Sequence, residues 1–302
     1  MSQRLYFSVL GTVRVTRAGQ PVRLGGPRLR TLLATLLLCA GRPVSLERIG
    51  DRLWEHTPPA QVRRVIQTYI VRLRQVLDGH DLIQTDPGGY LIRVDPDQLD
   101  VLRFDTLLGV ATATSDVARR AALLSEALSL WRGPACADIV SSVLQSRDVA
   151  PIGERRLDAE ERLIDAELAL GRHVARVPHL RRLVVEYPLR ERFTAQLMLA
   201  LYRSGRRADA LTAYLRTRDV LVEEFGIEPG AELQQVHRQV LGAGPGTDPP
   251  GPVAERLHVY ALHIARAIGD HAVERVALAG LAEIRQLRQG TATVNGTAVK
   301  QI

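Results

Sequence analysis

The stretch from Val62 to Leu77 combines residue types and a spacing that suit contacts with nucleic acid. At about 100° per residue, a helix here would place its apolar side chains on one arc and arginine, amide and hydroxyl groups on the opposite arc. Guanidinium and amide groups pair with phosphates and with base edges in the major groove of DNA. The polar arc carries no acid and comprises Arg63, Arg64, Gln67, Thr68, Val71, Arg72, Arg74 and Gln75. This pattern predicts a DNA-recognition helix, whereas the alternative, a solvated basic face, usually mixes both charge signs.

The centre of this polar arc carries the groups that read bases. Arg64 has two parallel donors that match O6 and N7 of guanine, and Gln67 suits adenine. Thr68 lies beside them and adds a hydroxyl group. Val71 is apolar on a polar arc, and two interpretations stand: its methyl groups meet a thymine methyl, or it is an exposed valine without a role.

Arginines at the margins of the arc and on an earlier segment suit phosphates. Arg63, Arg72 and Arg74 lie at the flanks of the arc, where backbone contacts are expected. Arg28 and Arg30 begin an apolar segment, and they would hold phosphates through their side chains and the helix N-terminus. A solvated helix start is an equal alternative for these last two residues.

The positive charge of the chain is concentrated in its first quarter. The whole sequence has a net charge of +7, but residues 1–77 hold 13 arginines and three acids, a net charge of +10, while residues 78–302 sum to −3. A concentrated positive field suits a polyanion. We expect nucleic acid rather than a membrane surface as the partner, because this region has no amphipathic helix with an exposed apolar face.

The residues that most enzyme sites require are missing from the sequence. Lys300 is the single lysine, so there is no Walker A lysine and no plausible Schiff-base lysine. The eight histidines form no HExxH motif and no metal-binding spacing with cysteine, and no GxSxG motif occurs. We therefore expect no catalytic residue, no cofactor and no metal site.

Cysteine usage and hydropathy indicate the compartment. Cys39 and Cys136 are far apart and lack a CxxC partner, and Cys39 lies in an apolar run typical of a core. This usage favours a reducing cytoplasm. The sequence shows no signal-peptide core and no apolar run long enough to cross a membrane, so we expect a cytoplasmic protein.

The elements around the arginine-bearing stretch predict a helix-turn-helix with a β-hairpin wing. Two strands should come first, then three helices, then the hairpin with its turn at Asp86-Pro87-Gly88-Gly89. Ser45 is a plausible N-cap for the second helix. The expected bounds are Leu5–Val15 and Val22–Leu24 for the first strands, Leu29–Ala40, Ser45–Trp54 and Val62–Leu77 for the helices, and Leu82–Thr85 and Tyr90–Ile92 for the hairpin.

The motifs of this first region, in this order, resemble the OmpR-type winged helix of the Streptomyces antibiotic regulatory protein family. The motifs are FSVLGTVRV, LGGPRLRTLLATLLL, VSLERIGDRLW, IQTYIVRLRQVL and PGGYLI. The resemblance implies DNA contacts at Arg64, Gln67, Thr68, Tyr69, Arg72, Arg74, Thr85 and Tyr90. Tyr69 lies on the apolar arc, and we interpret it as a core residue with its phenol tip near the DNA backbone. Wings of this type usually carry an arginine at the tip, whereas this chain has Asp86-Pro87.

The second region, residues 104–242, is almost entirely helical in pattern. Gly171 and Gly205 lie 34 residues apart, which is the tetratricopeptide period, and each is expected to end a helix. The segments LWRGPACADI, PLRERFTAQLMLALYRSGRRADALTAY and EEFGIEPGAELQQVHRQVL resemble the bacterial transcriptional activation domain of the same family. The resemblance implies a tetratricopeptide-like domain that promotes dimerisation or meets RNA polymerase.

A third region, residues 243–302, starts with a linker rich in proline and glycine. The segment after it looks helical, and its apolar residues Leu257, Tyr260, Ala261, Ile264 and Ile268 form one stripe. We expect this stripe to pack onto the helical region. This extension departs from the small family members, which usually stop near residue 242.

Together these patterns predict a mainly α protein with a small β part at its N-terminus. Residues 1–103 would form the winged helix, residues 104–242 the activation domain and residues 243–302 a linker with a helical extension. The resemblance implies a sequence-specific activator of a secondary-metabolite gene cluster, binding direct repeats near a −35 promoter element and recruiting RNA polymerase, as a homodimer or a side-by-side assembly on DNA. The alternatives are a tetratricopeptide-like adaptor and a ligand-responsive repressor.

Overall fold

The computed structural model describes residues 4–55, 57–78 and 81–242, together with Leu278. These residues belong to two compact units, one ending at Gly171 and the other beginning at Arg172. The apolar stripe expected from Leu257 to Ile268 lies outside the described residues. Within the described part of the chain, no helix is long and apolar enough to cross a membrane.

The first unit opens with a small antiparallel sheet in the order β1-β2-β3. Its strands are β1 (Leu5–Ser8), β2 (Arg14–Arg17) and β3 (Gln20–Pro21). The expected single strand from Leu5 to Val15 is therefore wrong, as is the strand expected at Val22–Leu24.

The chain turns between β1 and β2 because distant acids hold its backbone. Asp100 accepts hydrogen bonds from the backbone N–H groups of Val9 and Leu10, and Asp138 accepts one from Val13. Gly11 has a φ of +145°, a conformation that side-chain-bearing residues rarely adopt. The alternating hydrophobic pattern could not reveal this break, because both halves bury the same kind of residue.

Three helices follow the sheet and confirm the predicted helix-turn-helix order. They are α1 (Pro27–Leu38), α2 (Leu46–Trp54) and α3 (Val62–Leu77). The side chain of Ser45 accepts a hydrogen bond from the backbone N–H of Arg48, which confirms the predicted N-cap of α2. Cys39, just after α1, is buried as expected for a small core residue.

The wing is a two-stranded hairpin of β4 (Ile83–Asp86) and β5 (Gly89–Ile92). Asp86 pairs with Gly89, so only two residues form the turn. Gly89 has a φ of +134°, and a Cβ there would lie 2.0 Å from the carbonyl oxygen of Val44. This close approach allows the segment before α2 to pair with β5 and thereby seats the wing on the helices.

Further helices complete the first unit and share its hydrophobic core. A 3₁₀ turn at Pro96–Gln98 leads to α4 (Asp100–Ala113) and α5 (Val117–Ser129). A continuous helical segment then runs through α6 (Ser142–Leu144), a π-helical turn (Gln145–Val149) and α7 (Ala150–Ala169).

The described part of the second unit consists of helices. They are α8 (His173–Glu186), α9 (Glu191–Arg203), α10 (Arg207–Phe225) and α11 (Ala231–Gly242). Helix α9 packs against the other three. Gly171 follows α7 with a φ of +78° and Gly205 follows α9 with a φ of +73°, so both glycines end helices as predicted.

Candidate nucleic-acid interface

Helix α3 is fixed in the first unit by its apolar side. Ile66, Ile70, Leu73 and Leu77 are buried in the core, at the i, i+4, i+7, i+11 spacing of one helix face. Asp78 ends the helix in a left-handed conformation with a φ of +49°. The buried stripe sets the rotation of the helix, so the opposite side must face solvent.

That opposite side is the arc expected to contact DNA. Arg63, Arg64, Gln67, Thr68 and Arg72 are exposed, and none of them forms an ion pair with another residue that the structure describes. The Thr68 hydroxyl donates to the carbonyl oxygen of Arg64, one turn earlier, at 3.0 Å. The arrangement offers guanidinium, amide and hydroxyl groups on a rigid scaffold.

Two residues of α3 show mixed polarity. Val71 is 50 % exposed, in the middle of the polar arc, where its methyl groups are available for an apolar contact. The ring of Tyr69 is half-buried and stacks on Trp54 of α2, with ring centroids 6.4 Å apart. This position agrees with the interpretation of Tyr69 as a residue of the apolar arc.

Arg74 differs from the other arginines of α3, because protein groups occupy its guanidinium. Nε and Nη2 donate to the carbonyl oxygen of Ile83 at 2.9 and 2.7 Å, and Nη2 also donates to the hydroxyl of Thr85 at 3.1 Å. Sequence reasoning assigned Arg74 to phosphate, whereas the structure joins it to β4 of the wing.

The two wing residues expected at the interface are placed differently. Thr85 is exposed, beside the end of α3. Tyr90 is only 7 % exposed and belongs to the hydrophobic core, so the structure does not support it as a DNA contact. Alternation along β5 does not reveal this burial, because its backbone pairs with Val44 and draws the strand into the core.

The two arginines at the start of α1 also differ in whether their side chains are available to DNA. Arg28 is exposed, as a phosphate contact requires. Arg30 pairs with the carboxylate of Asp138 and donates to the carbonyl oxygen of Val13 at 2.9 Å, so the structure assigns it an internal role instead of the expected phosphate contact. The acid that decides this lies 108 residues away in the sequence.

A buried ionic cluster beneath α2 was missed by sequence reasoning. Asp148, in the π-helical turn, accepts from Arg48 at 2.7 Å and from Arg52 at 2.9 Å. The side chains of Arg52 and Asp148 are only 5 % and 6 % exposed. The hydrogen bond from Arg48 to Asp148 raises the pKa of this arginine, so its guanidinium stays charged.

A second contact ties the end of α2 to the start of α6. The carboxylate of Glu55 accepts from the backbone N–H of Ser142 at 2.6 Å and from its hydroxyl at 2.9 Å. A carboxylate at a helix N-terminus also meets the positive end of the helix dipole. The first helix of the helix-turn-helix is therefore held at several points by the segment around residues 142–148.

Two families match successive parts of the chain, and their boundary differs from the division between Gly171 and Arg172 that the structure shows. Residues 19–92 match the family described as Transcriptional regulatory protein, C terminal. Residues 99–241 match the family described as Bacterial transcriptional activator domain. A winged helix with an exposed basic recognition face, followed by these helices, defines a class of transcriptional regulators that bind DNA.

The chain belongs to the Streptomyces antibiotic regulatory protein family of DNA-binding transcriptional activators. It is 39 % identical over 249 residues to the transcriptional regulator RedD of Streptomyces coelicolor, covering 79 % of this chain and 71 % of RedD. It is 40 % identical over 248 residues to the regulatory protein AfsR of the same organism, covering 81 % of this chain. The matched segment spans only 25 % of AfsR.

A solved structure of Mycobacterium tuberculosis EmbR in complex with a low-affinity phosphopeptide shares the fold. The superposition has a TM-score of 0.77 at 31 % sequence identity, and it covers 80 % of this chain and 66 % of EmbR. The mainly helical architecture with a small β part at the N-terminus, predicted from the sequence, is confirmed.

Proposed function

We propose that the exposed face of α3 enters the major groove of double-stranded DNA and reads its sequence. The observation that carries this proposal is the acid-free arc, on which three arginines meet no carboxylate among the described residues. Arg64 would donate two hydrogen bonds to guanine, and Gln67 would pair with adenine. Thr68 and Val71 complete the surface that faces the bases.

The residues around this centre would fix the protein on the DNA backbone. Arg63 and Arg72 flank the arc and suit phosphates, which set register and orientation without reading sequence. Arg28, exposed at the start of α1, offers a further phosphate contact. Thr85 would bring the wing to the adjacent backbone or minor groove. Tyr69 would contribute its phenol tip from the margin of the arc.

We further propose that the protein activates transcription of a secondary-metabolite gene cluster. The family and its relatives, one named as a transcriptional regulator, support this proposal. Two copies of the protein, as a dimer or side by side, would occupy direct repeats near the −35 element. The helices that follow the winged helix in the chain would contact RNA polymerase. These steps would take place in the cytoplasm.

Selection from a random duplex library tests whether the exposed face of α3 recognises a DNA sequence. Wild type and the double variant Arg64→Ala/Arg72→Ala are each used to capture fragments, which are then sequenced. We expect the wild type alone to enrich a repeated motif, whose spacing gives the arrangement of half-sites. Enrichment of nothing by the wild type, despite binding at low salt, would reject sequence-specific recognition and favour the adaptor function.

A further inference from the structure

The two outer edges of the wing hairpin are held by different kinds of group. On the β5 edge, Val44 and Tyr90 exchange two backbone hydrogen bonds of 2.8 and 3.0 Å, and Gly41 donates to the carbonyl oxygen of Ile92 at 3.0 Å. These are ordinary sheet contacts between main chains. They attach the wing to the segment that leads into α2.

The β4 edge is held by a side chain of α3. Both Nε and Nη2 of Arg74 converge on the carbonyl oxygen of Ile83, and Nη2 also reaches the Thr85 hydroxyl. A two-stranded hairpin is marginally stable in isolation, so its edge contacts matter for its order. Hydrogen bonds from a charged donor are shorter and stronger than neutral ones.

We propose that Arg74 is a positioning residue that fixes the wing at a set distance from the recognition helix. It lies in the last turn of α3, between the buried residues Leu73 and Leu77, and its guanidinium spans the gap to β4. The same contact orients Thr85 toward the side where α3 would meet DNA. Only the consequence for DNA binding rests on the proposed function.

The chemistry of the side chain explains why an arginine is needed here. The planar guanidinium presents several donors in a fixed fork, so it binds one carbonyl with two N–H groups and a hydroxyl with another. A lysine would keep the charge but lose this fork. Arg72, two residues earlier, is exposed and provides a matched control on the same helix.

The test measures amide hydrogen exchange of the full chain without DNA, for wild type, Arg74→Gln, Arg74→Lys and Arg72→Gln. We expect Arg74→Gln to raise exchange of the wing amides, residues 83–86 and 88–92, by about tenfold or more, because losing even one of its charge-assisted hydrogen bonds gives a change of that order. Arg74→Lys should give a smaller increase, and Arg72→Gln should give none. Unchanged wing exchange in Arg74→Gln would overturn the proposal.

DNA binding at several salt concentrations supplies a second readout. A phosphate contact predicts that Arg74→Gln lowers the slope of log affinity against log salt by about one, as we expect for Arg72→Gln. The positioning role predicts weaker binding by Arg74→Gln with an unchanged slope. A slope that falls by about one, with rigid wing amides, would assign Arg74 to phosphate instead. Absence of specific binding by the wild type would reject the proposed function but leave the exchange result valid.

Discussion

Helices α2 and α3 carry similar arginines in sequence, but the fold uses them in opposite ways. On α2, Arg48 and Arg52 converge on the buried carboxylate of Asp148. On α3, Arg63, Arg64 and Arg72 face solvent and meet no acid among the described residues. The arginines of α2 form internal ion pairs, whereas those of α3 are exposed to solvent.

The difference shows that net charge along a sequence does not measure the charge available to a ligand. Asp138 and Asp148, from the loop and turn that follow α5, neutralise arginines of the first region that local sequence reasoning counts as free. The exposed arginines of α3 therefore remain available to a ligand, whereas Arg30, Arg48 and Arg52 are held by internal carboxylates.

The largest expected effect comes from removing the acid under α2. Asp148→Ala removes the buried carboxylate that binds Arg52, which is 5 % exposed, and leaves it only a long ion pair of 3.9 Å with Asp51. We expect the free energy of unfolding to fall by about 3–5 kcal/mol. Urea denaturation of the full chain measures it. Glu126→Ala, which breaks an exposed pair with Arg103, is the control and should cost less than about 1 kcal/mol. An equal fall in the free energy of unfolding for both variants would show that the α2 arginines depend on Asp148 no more than an exposed ion pair depends on its acid.

The second effect concerns binding rather than stability. Arg64→Ala should weaken specific DNA binding by about 1–3 kcal/mol and relax the base preference at one position. Its stability should stay within about 0.5 kcal/mol of wild type, since the side chain is exposed. Titration of labelled duplexes measures the affinity, with Arg119→Ala, an exposed arginine on α5, as the control. A loss of stability similar to that of Asp148→Ala would show that Arg64 has an internal structural role, like the arginines of α2.

A smaller effect distinguishes phosphate contacts on α3 from internal arginines on α2. Arg72→Ala should reduce affinity for specific and unrelated duplexes alike, and lower the salt slope by about one. Arg48→Ala should leave the slope unchanged, because its guanidinium is bound to Asp148 instead of a phosphate. Both variants are titrated over a range of salt concentrations. A lower slope for Arg48→Ala would show that α2 also contacts phosphate.

The smallest expected effect is an absence of reactivity near the internal cluster. Burial raises the pKa of Cys39, and this outweighs the opposing influence of Arg48. Burial also raises the pKa of Cys136 to about 12. Thiol titration with a chromogenic disulfide at pH 8 should therefore detect both cysteines only after denaturation, since the thiolate is the reacting form. Fast reaction of Cys39 in the native protein would mean that the α2 arginines lower the pKa of this thiol more than burial raises it.

These raised values also predict a direction for stability at high pH. In the unfolded chain the thiol of Cys136 ionises near its ordinary pKa of 9.0, whereas in the folded chain it stays protonated up to about pH 12. The folded state thus binds more protons in this window, so this thiol makes stability fall as pH rises through it. Cys136→Ala should show a shallower decline than wild type, measured by denaturant titration between pH 8 and 10.

Local patterns were sufficient for the elements that surround the proposed interface. The bounds of α3, the N-cap of α2 and the turn between β4 and β5 were all predicted, because each depends on residues within a few positions of one another. The side of α3 that faces solvent followed from the same periodicity. Ionic contacts between residues about 100 positions apart had no local pattern to reveal them.

The sequence by itself determined that this chain carries a basic, acid-free helix face in a winged-helix order, because helical period and charge sign are read residue by residue. The tertiary structure decided which groups are available. It broke the first strand with Asp100, buried Tyr90, paired Arg30 with Asp138 and turned Arg74 toward the wing. The physical reason is that burial and ion pairing depend on what packs nearby, and those partners come from distant parts of the chain.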